Sequence, residues 1–96
     1  MTVQPLRILV DADACPVKQE VYRVAKRYDL RVTLVAGSWM RVPEEHNLSL
    51  KVVGEGMGAA DDWIVEHARR DDVVITADIP LASRCLKLGA RVLGPS

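Results

Sequence analysis

Ile8-Leu9-Val10-Asp11-Ala12-Asp13-Ala14-Cys15-Pro16-Val17-Lys18 is the stretch of sequence that decides the fold. Residues 6–10 are apolar apart from one arginine, which is typical of a strand covered on both faces of a parallel sheet. Asp11 stands at the carboxyl end of that strand, and Pro16 suits the first turn of a helix. In open α/β sheets, ligands bind beyond the carboxyl ends of the strands. Asp11 and Asp13 therefore either help a helix to begin or belong to a metal site.

Strand and helix patterns alternate along the rest of the chain. A helix is predicted over 16–28 from apolar residues at helical spacing, which are Val17, Val21, Val24, Ala25 and Tyr28. Further strands are predicted at 31–36, 48–53, 72–77 and 90–93, and further helices over 59–70 and from Pro80 onward. Residues 37–47 have no period and are predicted to form a loop. This order predicts a single α/β domain over residues 1–96, with a parallel sheet and right-handed crossovers.

Composition and charge restrict the possible partners and compartments. The formal net charge of the 96 residues is zero, so no overall field attracts nucleic acid or an anionic membrane, and binding of a polyanion must be local. No apolar run approaches the length of a membrane span, so no membrane partner is expected. Two cysteines without a secretory signal predict free thiols and a cytoplasmic protein.

Carboxylates follow three of the predicted strands or open the helices after them. They are Asp11 with Asp13, Asp61 with Asp62, and Asp78. Because all strand-to-helix turns of a parallel sheet lie at one edge, these side chains are expected to share a crevice. Like charges brought together raise one another's pKa unless a cation neutralises them. The set therefore predicts a site for Mg²⁺ or Mn²⁺, and the alternative is three separately capped helices.

These residues lie in four motifs, which are Asp11-Ala12-Asp13-Ala14-Cys15-Pro16, Gly54-Glu55-Gly56, Ala59-Ala60-Asp61-Asp62-Trp63-Ile64 and Ile75-Thr76-Ala77-Asp78-Ile79-Pro80-Leu81-Ala82. The motifs resemble those of the bacterial YaiI/YqxD family, a PIN-like family related to the NYN nucleases. The resemblance implies a three-layer PIN-like fold with a five-stranded, mainly parallel sheet in the order 3-2-1-4-5. By analogy with the wider superfamily it also implies metal-dependent ribonuclease chemistry, with RNA as the partner.

The resemblance also implies a role for each acidic residue. Asp11 matches the acid after the first strand of PIN domains, Asp61 the acid on the helix, and Asp78 the acid after the fourth strand. These three are the expected catalytic residues and metal ligands. PIN and NYN proteins often carry another acid two residues beyond the last one, where this chain has a proline. Asp13 or Asp62 is therefore expected to complete the metal site.

Three further residues are candidates for substrate binding. Lys18 lies near a helix N-terminus, which is unfavourable for a cation unless an anion is close, so it either faces the acids or a substrate phosphate, or is simply solvated. Trp39 and Arg41 lie in the loop after the second strand, where they either clamp a nucleotide or fold back on the sheet. Cys15 is expected to be a small buried thiol.

Two other functions fit part of the sequence. The segment 8–14 resembles the signature of haloacid-dehalogenase-type phosphatases, in which Asp11 would be the nucleophile and Asp13 the acid–base group. That signature has Thr or Val where this chain has Cys15, and its downstream lysine motif is not evident. The third possibility is a PIN-like module that binds metal or RNA without turnover.

The last predicted strand, at 90–93, has no helix after it. The resemblance implies that members of the family continue past Gly94-Pro95, so C-terminal helices are expected to be missing from this chain. One face of the sheet should then expose an aliphatic patch. Either a homodimer buries this patch, or a longer parent chain has lost its tail to disorder or processing.

Overall fold

A five-stranded parallel sheet forms the centre of the computed structural model, which describes residues 6–16 and 18–94. The strands and helices are β1 (Arg7–Asp11), α1 (Lys18–Tyr28), β2 (Arg31–Ala36), β3 (Leu48–Val52), α2 (Ala59–His67), β4 (Val73–Ile75), α3 (Ile79–Lys87) and β5 (Arg91–Leu93), with one 3₁₀ turn at Ala12–Ala14. The order is β3-β2-β1-β4-β5 and every pairing is parallel. The predicted fold class and strand order are confirmed.

The sheet lies between two layers, so the domain has three. Val10, Leu34 and Ile75 point to the side covered by α1, whereas Leu9 and Val74 point to the side covered by α2 and α3. The connections from β1 to β2 and from β4 to β5 run in opposite directions across the sheet. Since crossovers between parallel strands are right-handed, α1 and α3 lie on opposite sides of the sheet. Among the residues that the structure describes, no helix is long and apolar enough to cross a membrane.

Helix α2 ends at His67, three residues before the predicted end at position 70. The guanidinium of Arg7 donates a hydrogen bond of 2.8 Å to the carbonyl of His67 and forms an ion pair of 2.6 Å with Asp72. The carboxylate of Asp72 also accepts a hydrogen bond of 2.7 Å from the N–H of Arg69. The ion pair thus satisfies backbone groups at the end of the helix, and residues 60 positions apart in sequence determine where it stops.

Strand β4 is also shorter than predicted and ends at Ile75 rather than at position 77. The N–H of Ala77 donates to the carbonyl of Ala14 in the 3₁₀ turn at 2.9 Å. The chain leaves the sheet there in order to join the turn after β1. This contact holds the carboxyl ends of the two central strands together.

Helix α1 buries only part of its predicted apolar stripe. Val21 and Ala25 are buried, but Val24 and Tyr28 remain 50% and 62% exposed, and Val17 lies outside the described residues. On the side of the sheet where α1 packs, no helix among the described residues covers β4 and β5. The result is an apolar groove of about 230 Å³, lined by Ile8, Glu20, Val21, Val24, Val73, Ile75, Leu93 and Gly94. The thinly covered face expected from the sequence is present.

Candidate metal centre at the carboxyl edge of the sheet

A cavity of about 370 Å³ opens at the carboxyl ends of the central strands. Its walls come from the turn after β1, the residues that follow β2 and β3, the first turn of α2 and the residue that precedes α3. They contribute five carboxylates, those of Asp11, Asp13, Glu55, Asp61 and Asp78. No Lys, Arg or His side chain from residues 6–16 or 18–94 lines this cavity. The site therefore concentrates negative charge, and none of the cationic side chains of the described residues belongs to its wall.

Asp11 is the most buried of these carboxylates, with 3% of the residue exposed. Burial raises the pKa of its carboxyl group above the ordinary value. A hydrogen bond of 2.8 Å from the hydroxyl of Thr76 acts in the opposite direction, and the charges of Asp61, Asp13 and Asp78 raise the pKa further. Ionised Asp11 is thus unfavourable in the metal-free protein, and a cation would stabilise it.

Asp78 is connected to Asp11 through Thr76. The hydroxyl oxygen of Thr76, which donates to Asp11, also accepts a hydrogen bond of 2.9 Å from the N–H of Asp78. One carboxylate oxygen of Asp78 in turn accepts from the N–H of Leu81 at 3.1 Å and caps α3. The capping alternative is therefore correct for this residue. It uses one oxygen and leaves the other carboxylate oxygen for a ligand.

Asp13 joins the turn after β1 to the end of β2. Its carboxylate accepts a hydrogen bond of 2.9 Å from the N–H of Gly37. A β-carbon at position 37 would lie 3.2 Å from the carbonyl oxygen of Gly54 and 3.4 Å from the Asp13 carboxylate. Only glycine allows this close approach without a shift of the neighbouring backbone, so Gly37 determines the shape of the cavity wall.

Asp61 and Asp62 occupy the first turn of α2 but have different surroundings. Asp61 is half-buried in the cavity wall, and burial followed by the charge of Asp78 raises the pKa of its carboxyl group, against the opposing effect of Arg84. Asp62 is exposed, forms an ion pair of 3.2 Å with Arg84 and does not line the cavity. Gly58, rather than either aspartate, is the N-cap of this helix, and it forms no side-chain capping bond.

The predicted substrate-binding residues lie outside the cavity wall. Lys18 donates a hydrogen bond of 2.8 Å to the carbonyl of Cys15. Trp39 is 75% exposed and Arg41 is exposed, both in the loop whose first residues, Gly37 and Ser38, do line the cavity. Cys15 is a buried free thiol, as expected.

Sequence reasoning did not select two residues of the site, Thr76 and Glu55. In the register of β1 with β4, Val10 pairs with Ile75, so Thr76 comes next to Asp11. The predicted strand order together with this register would have indicated the contact. Glu55 follows β3 at the same edge of the sheet, and that position alone was a usable signal.

The carboxylate oxygens of the cavity are ligands of the kind that a hard divalent cation prefers. Their placement limits how many of them could bind one ion directly. In the described part of the chain, no group of three His, Cys, Asp or Glu side chains is placed to hold one ion. Mg²⁺ commonly binds one or two carboxylates and retains several water molecules. The cavity, at about 370 Å³, has room for a hydrated ion of this kind, and the aspartates in its wall are Asp11, Asp13, Asp61 and Asp78.

Fold and site together define a three-layer parallel α/β domain with an acidic cavity at the carboxyl edge of its central strands. A family model described as "Uncharacterized BCR, YaiI/YqxD family" matches residues 9–96. The chain belongs to that family, as the sequence motifs had indicated.

Several curated relatives are similar over almost the whole chain. They include UPF0178 proteins of Bradyrhizobium diazoefficiens, 58% identical over 96 residues, Rhodopseudomonas palustris strain HaA2, 59% over 92, and Nitrobacter winogradskyi, 57% over 91. These alignments cover 100%, 96% and 95% of this chain but only 58%, 56% and 58% of the relatives. The chain thus spans less than two thirds of their length, and their names state a family and no activity.

Proposed function

We propose that the acidic cavity binds Mg²⁺ or Mn²⁺ and hydrolyses phosphodiester bonds of single-stranded RNA. The observation that carries this proposal is the group of five carboxylates in one cavity without a cationic side chain from the described residues. A phosphodiester is repelled by such a wall unless a cation lies between them. Metal-dependent phosphoryl transfer is the chemistry that uses a site of this kind.

The carboxylates have different roles in this proposal. Asp11, buried and held by Thr76, would fix the position of the cation, and Asp78 and Asp13 would orient its water molecules. Asp61, half-buried and with a raised pKa, would accept the proton of the attacking water. The chemistry that a divalent cation held by these residues would supply is neutralisation of the phosphoryl oxygens and a lower pKa of a water molecule.

Hydrolysis consumes one water molecule. A bond forms between its oxygen and phosphorus, the bond from phosphorus to one ribose oxygen breaks, and that oxygen leaves with a proton. In this proposal Trp39 and Arg41 contact the nucleotides next to the scissile phosphate, because they lie in the loop that begins at the cavity wall. A role for Lys18 stays a prediction.

The phosphatase alternative has less support in the geometry. An aspartyl-phosphate mechanism would make Asp11, which lines the cavity, the nucleophile that attacks the phosphate. Such enzymes also use a lysine to neutralise the phosphate, and no lysine from residues 6–16 or 18–94 lines the cavity. A module that binds metal or RNA without turnover differs from the proposed nuclease only in its activity.

A ribonuclease assay with matched variants tests the proposal. Wild-type protein with Mg²⁺ or Mn²⁺ should cleave single-stranded RNA, and Asp11→Asn should lower the rate by at least about 100-fold, since it removes the charge that fixes the cation. Cys15→Ser, a change outside the cavity wall, should remain largely active. Equal cleavage by Asp11→Asn and wild type would contradict the assignment, as would hydrolysis of phosphomonoesters in place of RNA.

A further inference from the structure

Part of the sheet carries exposed polar side chains on the side where α2 and α3 pack. Arg31 and Thr33 alternate along β2 with residues of the core that α1 covers, so they point to the opposite side. Ser49 is the register partner of Thr33, and Lys51 lies two residues further along β3 on the same side. Arg31, Ser49 and Lys51 are exposed. We call these four residues the open polar face.

The open polar face is suited to a polar ligand. The hydroxyls of Thr33 and Ser49 lie 3.3 Å apart and form an exposed hydrogen bond across the two strands. Arg31 and Lys51 make no ion pair or side-chain hydrogen bond with any other residue in the described ranges 6–16 and 18–94. The face thus presents two cations and two hydroxyls to solvent.

More arginines lie at the amino end of this face. A cavity of about 410 Å³ is lined by Leu6, Arg7, Arg31, Arg69, Arg70, Asp71 and Asp72. A second cavity of about 270 Å³ shares Arg7 and Arg31 with it. Arg31 is the register partner of Arg7, and like charges opposite each other on neighbouring strands are unfavourable. The ion pair with Asp72 already compensates the charge of Arg7, so it is Arg31 whose charge stays available to an anionic ligand at this end of the face.

The opposite end of the face lies beside the acidic cavity. β2 continues into Gly37 and β3 into Gly54, and both glycines line that cavity. From Arg31 to Gly37 the distance is about 20 Å at the rise of about 3.3 Å per residue of a parallel strand. A path along the open polar face therefore ends at the acidic cavity. Five cationic side chains lie along this path or at its amino end, and they are Lys51 and the arginines Arg7, Arg31, Arg69 and Arg70.

We infer that the open polar face and the arginines below it bind the phosphate groups of single-stranded RNA and direct the strand into the acidic cavity. This inference rests on the proposed function and adds the path of the substrate. Without a bound metal ion the carboxylates of the cavity repel a polyanion, so the affinity for RNA under that condition must come from cations elsewhere on the molecule. A positively charged groove that follows the backbone is the usual basis of single-strand binding.

Binding measurements with a pair of double variants test this path. Arg31→Gln/Lys51→Gln removes two cations of the open polar face, whereas Arg27→Gln/Arg91→Gln removes two from the other side of the sheet. Arg27 lies on α1, and Arg91 alternates with Val92, which packs on the α2 and α3 side. All four side chains are exposed, so both proteins should melt at the wild-type temperature.

The probe is a fluorescent oligouridylate of about 12 nucleotides, within the known range of single-strand site sizes, measured in EDTA. Loss of two phosphate contacts should lower the slope of log K against log salt by about 1.4 and the affinity by about 25-fold at about 0.1 M salt. The Arg27/Arg91 variant should bind like wild type. Equal binding by the Arg31/Lys51 variant, equal loss in both variants, or binding of RNA by neither variant nor wild type would overturn the inference.

Cleavage with Mg²⁺ separates this inference from the proposed function. If wild type binds RNA as described but never cleaves it, the proposed function fails and the binding path stands. If wild type cleaves RNA and the Arg31/Lys51 variant shows an unchanged KM, the path is wrong and the proposed function stands. The combined account expects a higher KM for this variant with a similar kcat.

Discussion

Thr76 connects two carboxylates of the acidic cavity through a single hydroxyl group. It donates to Asp11 and accepts from the N–H of Asp78, which in turn caps α3. The positions of these two proposed metal ligands thus depend on a residue that is neither acidic nor itself a proposed ligand. Such a group positions the carboxylates, and its removal should affect stability and metal affinity together.

Replacing this hydroxyl with a methyl group tests the role of Thr76. Thr76→Val should lower the free energy of unfolding by about 1–3 kcal/mol, because it leaves the buried carboxylate of Asp11 without its donor. Thr76→Ser keeps the hydroxyl and should lose less. Chemical denaturation of the metal-free proteins measures both values. If the valine variant is as stable as the serine variant, the hydrogen bond does not hold the site.

The raised pKa values of Asp11 and Asp61 predict how stability depends on pH. A carboxyl group whose pKa is higher in the folded than in the unfolded state stabilises the fold only while it is protonated. That contribution is complete below the ordinary value of 3.8 and is lost as the pH rises through the folded-state pKa. Ionised Asp11 should therefore destabilise the metal-free protein at neutral pH.

The comparison with Asp11→Asn isolates this effect from the other titrating groups. Its free energy of unfolding, relative to that of wild type, should increase between about pH 4 and about pH 7 when metal is absent. Saturating Mg²⁺ should stabilise wild type and reverse the order at neutral pH. A difference between the two proteins that does not change with pH would mean that burial of Asp11 has no energetic consequence.

At the scale of single elements, α2 depends on the backbone of Gly58. This residue is the N-cap of the helix with φ of 75°, a conformation that residues with a β-carbon rarely adopt. Gly58→Ala should destabilise the protein by about 1–2 kcal/mol and displace Asp61, three residues into the helix. Gly56→Ala is the control, because position 56 lacks a positive φ and its nearest neighbour would be 3.9 Å away. Urea unfolding of both variants measures the difference, and equal stability would refute the account of this cap.

Periodicity predicted the existence and type of every strand and helix but not all of their ends. Strand β2 lies where the pattern placed it, at 31–36. Helix α2 stops early because Arg7, which is held by Asp72, donates to its last carbonyl, and β4 stops early because the N–H of Ala77 donates to the turn after β1. Both ends depend on residues distant in sequence, which local patterns do not contain.

At the scale of the whole molecule, strand order determines which acids meet. The carboxyl edge collects Asp11, Asp13, Asp61 and Asp78 from three separate segments, as the rule for parallel sheets predicted. Asp62 does not join them, because it forms an ion pair with Arg84 outside the cavity. The position of this ion pair depends on how α2 packs beside α3. Helical periodicity alone showed only that two adjacent acids open the helix, whereas the family resemblance indicated Asp61, which is the one that lines the cavity.

The apolar groove beside α1 also belongs to this scale. It exposes Val24 and Leu93, 50% and 56% accessible, next to the buried β-strand residues of its floor. Of the described residues that line it, Glu20 is the only charged one. A homodimer that covers this groove stays a prediction, and light scattering on the 96-residue chain measures it.

Titration of the protein with Mn²⁺ in a calorimeter tests the central claim, that the acidic cavity is a divalent metal site. The account predicts heat of binding for wild type and for Asp62→Asn, whose side chain lies outside the cavity, and none for Asp11→Asn. The melting temperature of the first two proteins should rise with Mn²⁺, because the ion binds only the folded state. Absence of binding to wild type, or equal binding to Asp11→Asn, would contradict the account.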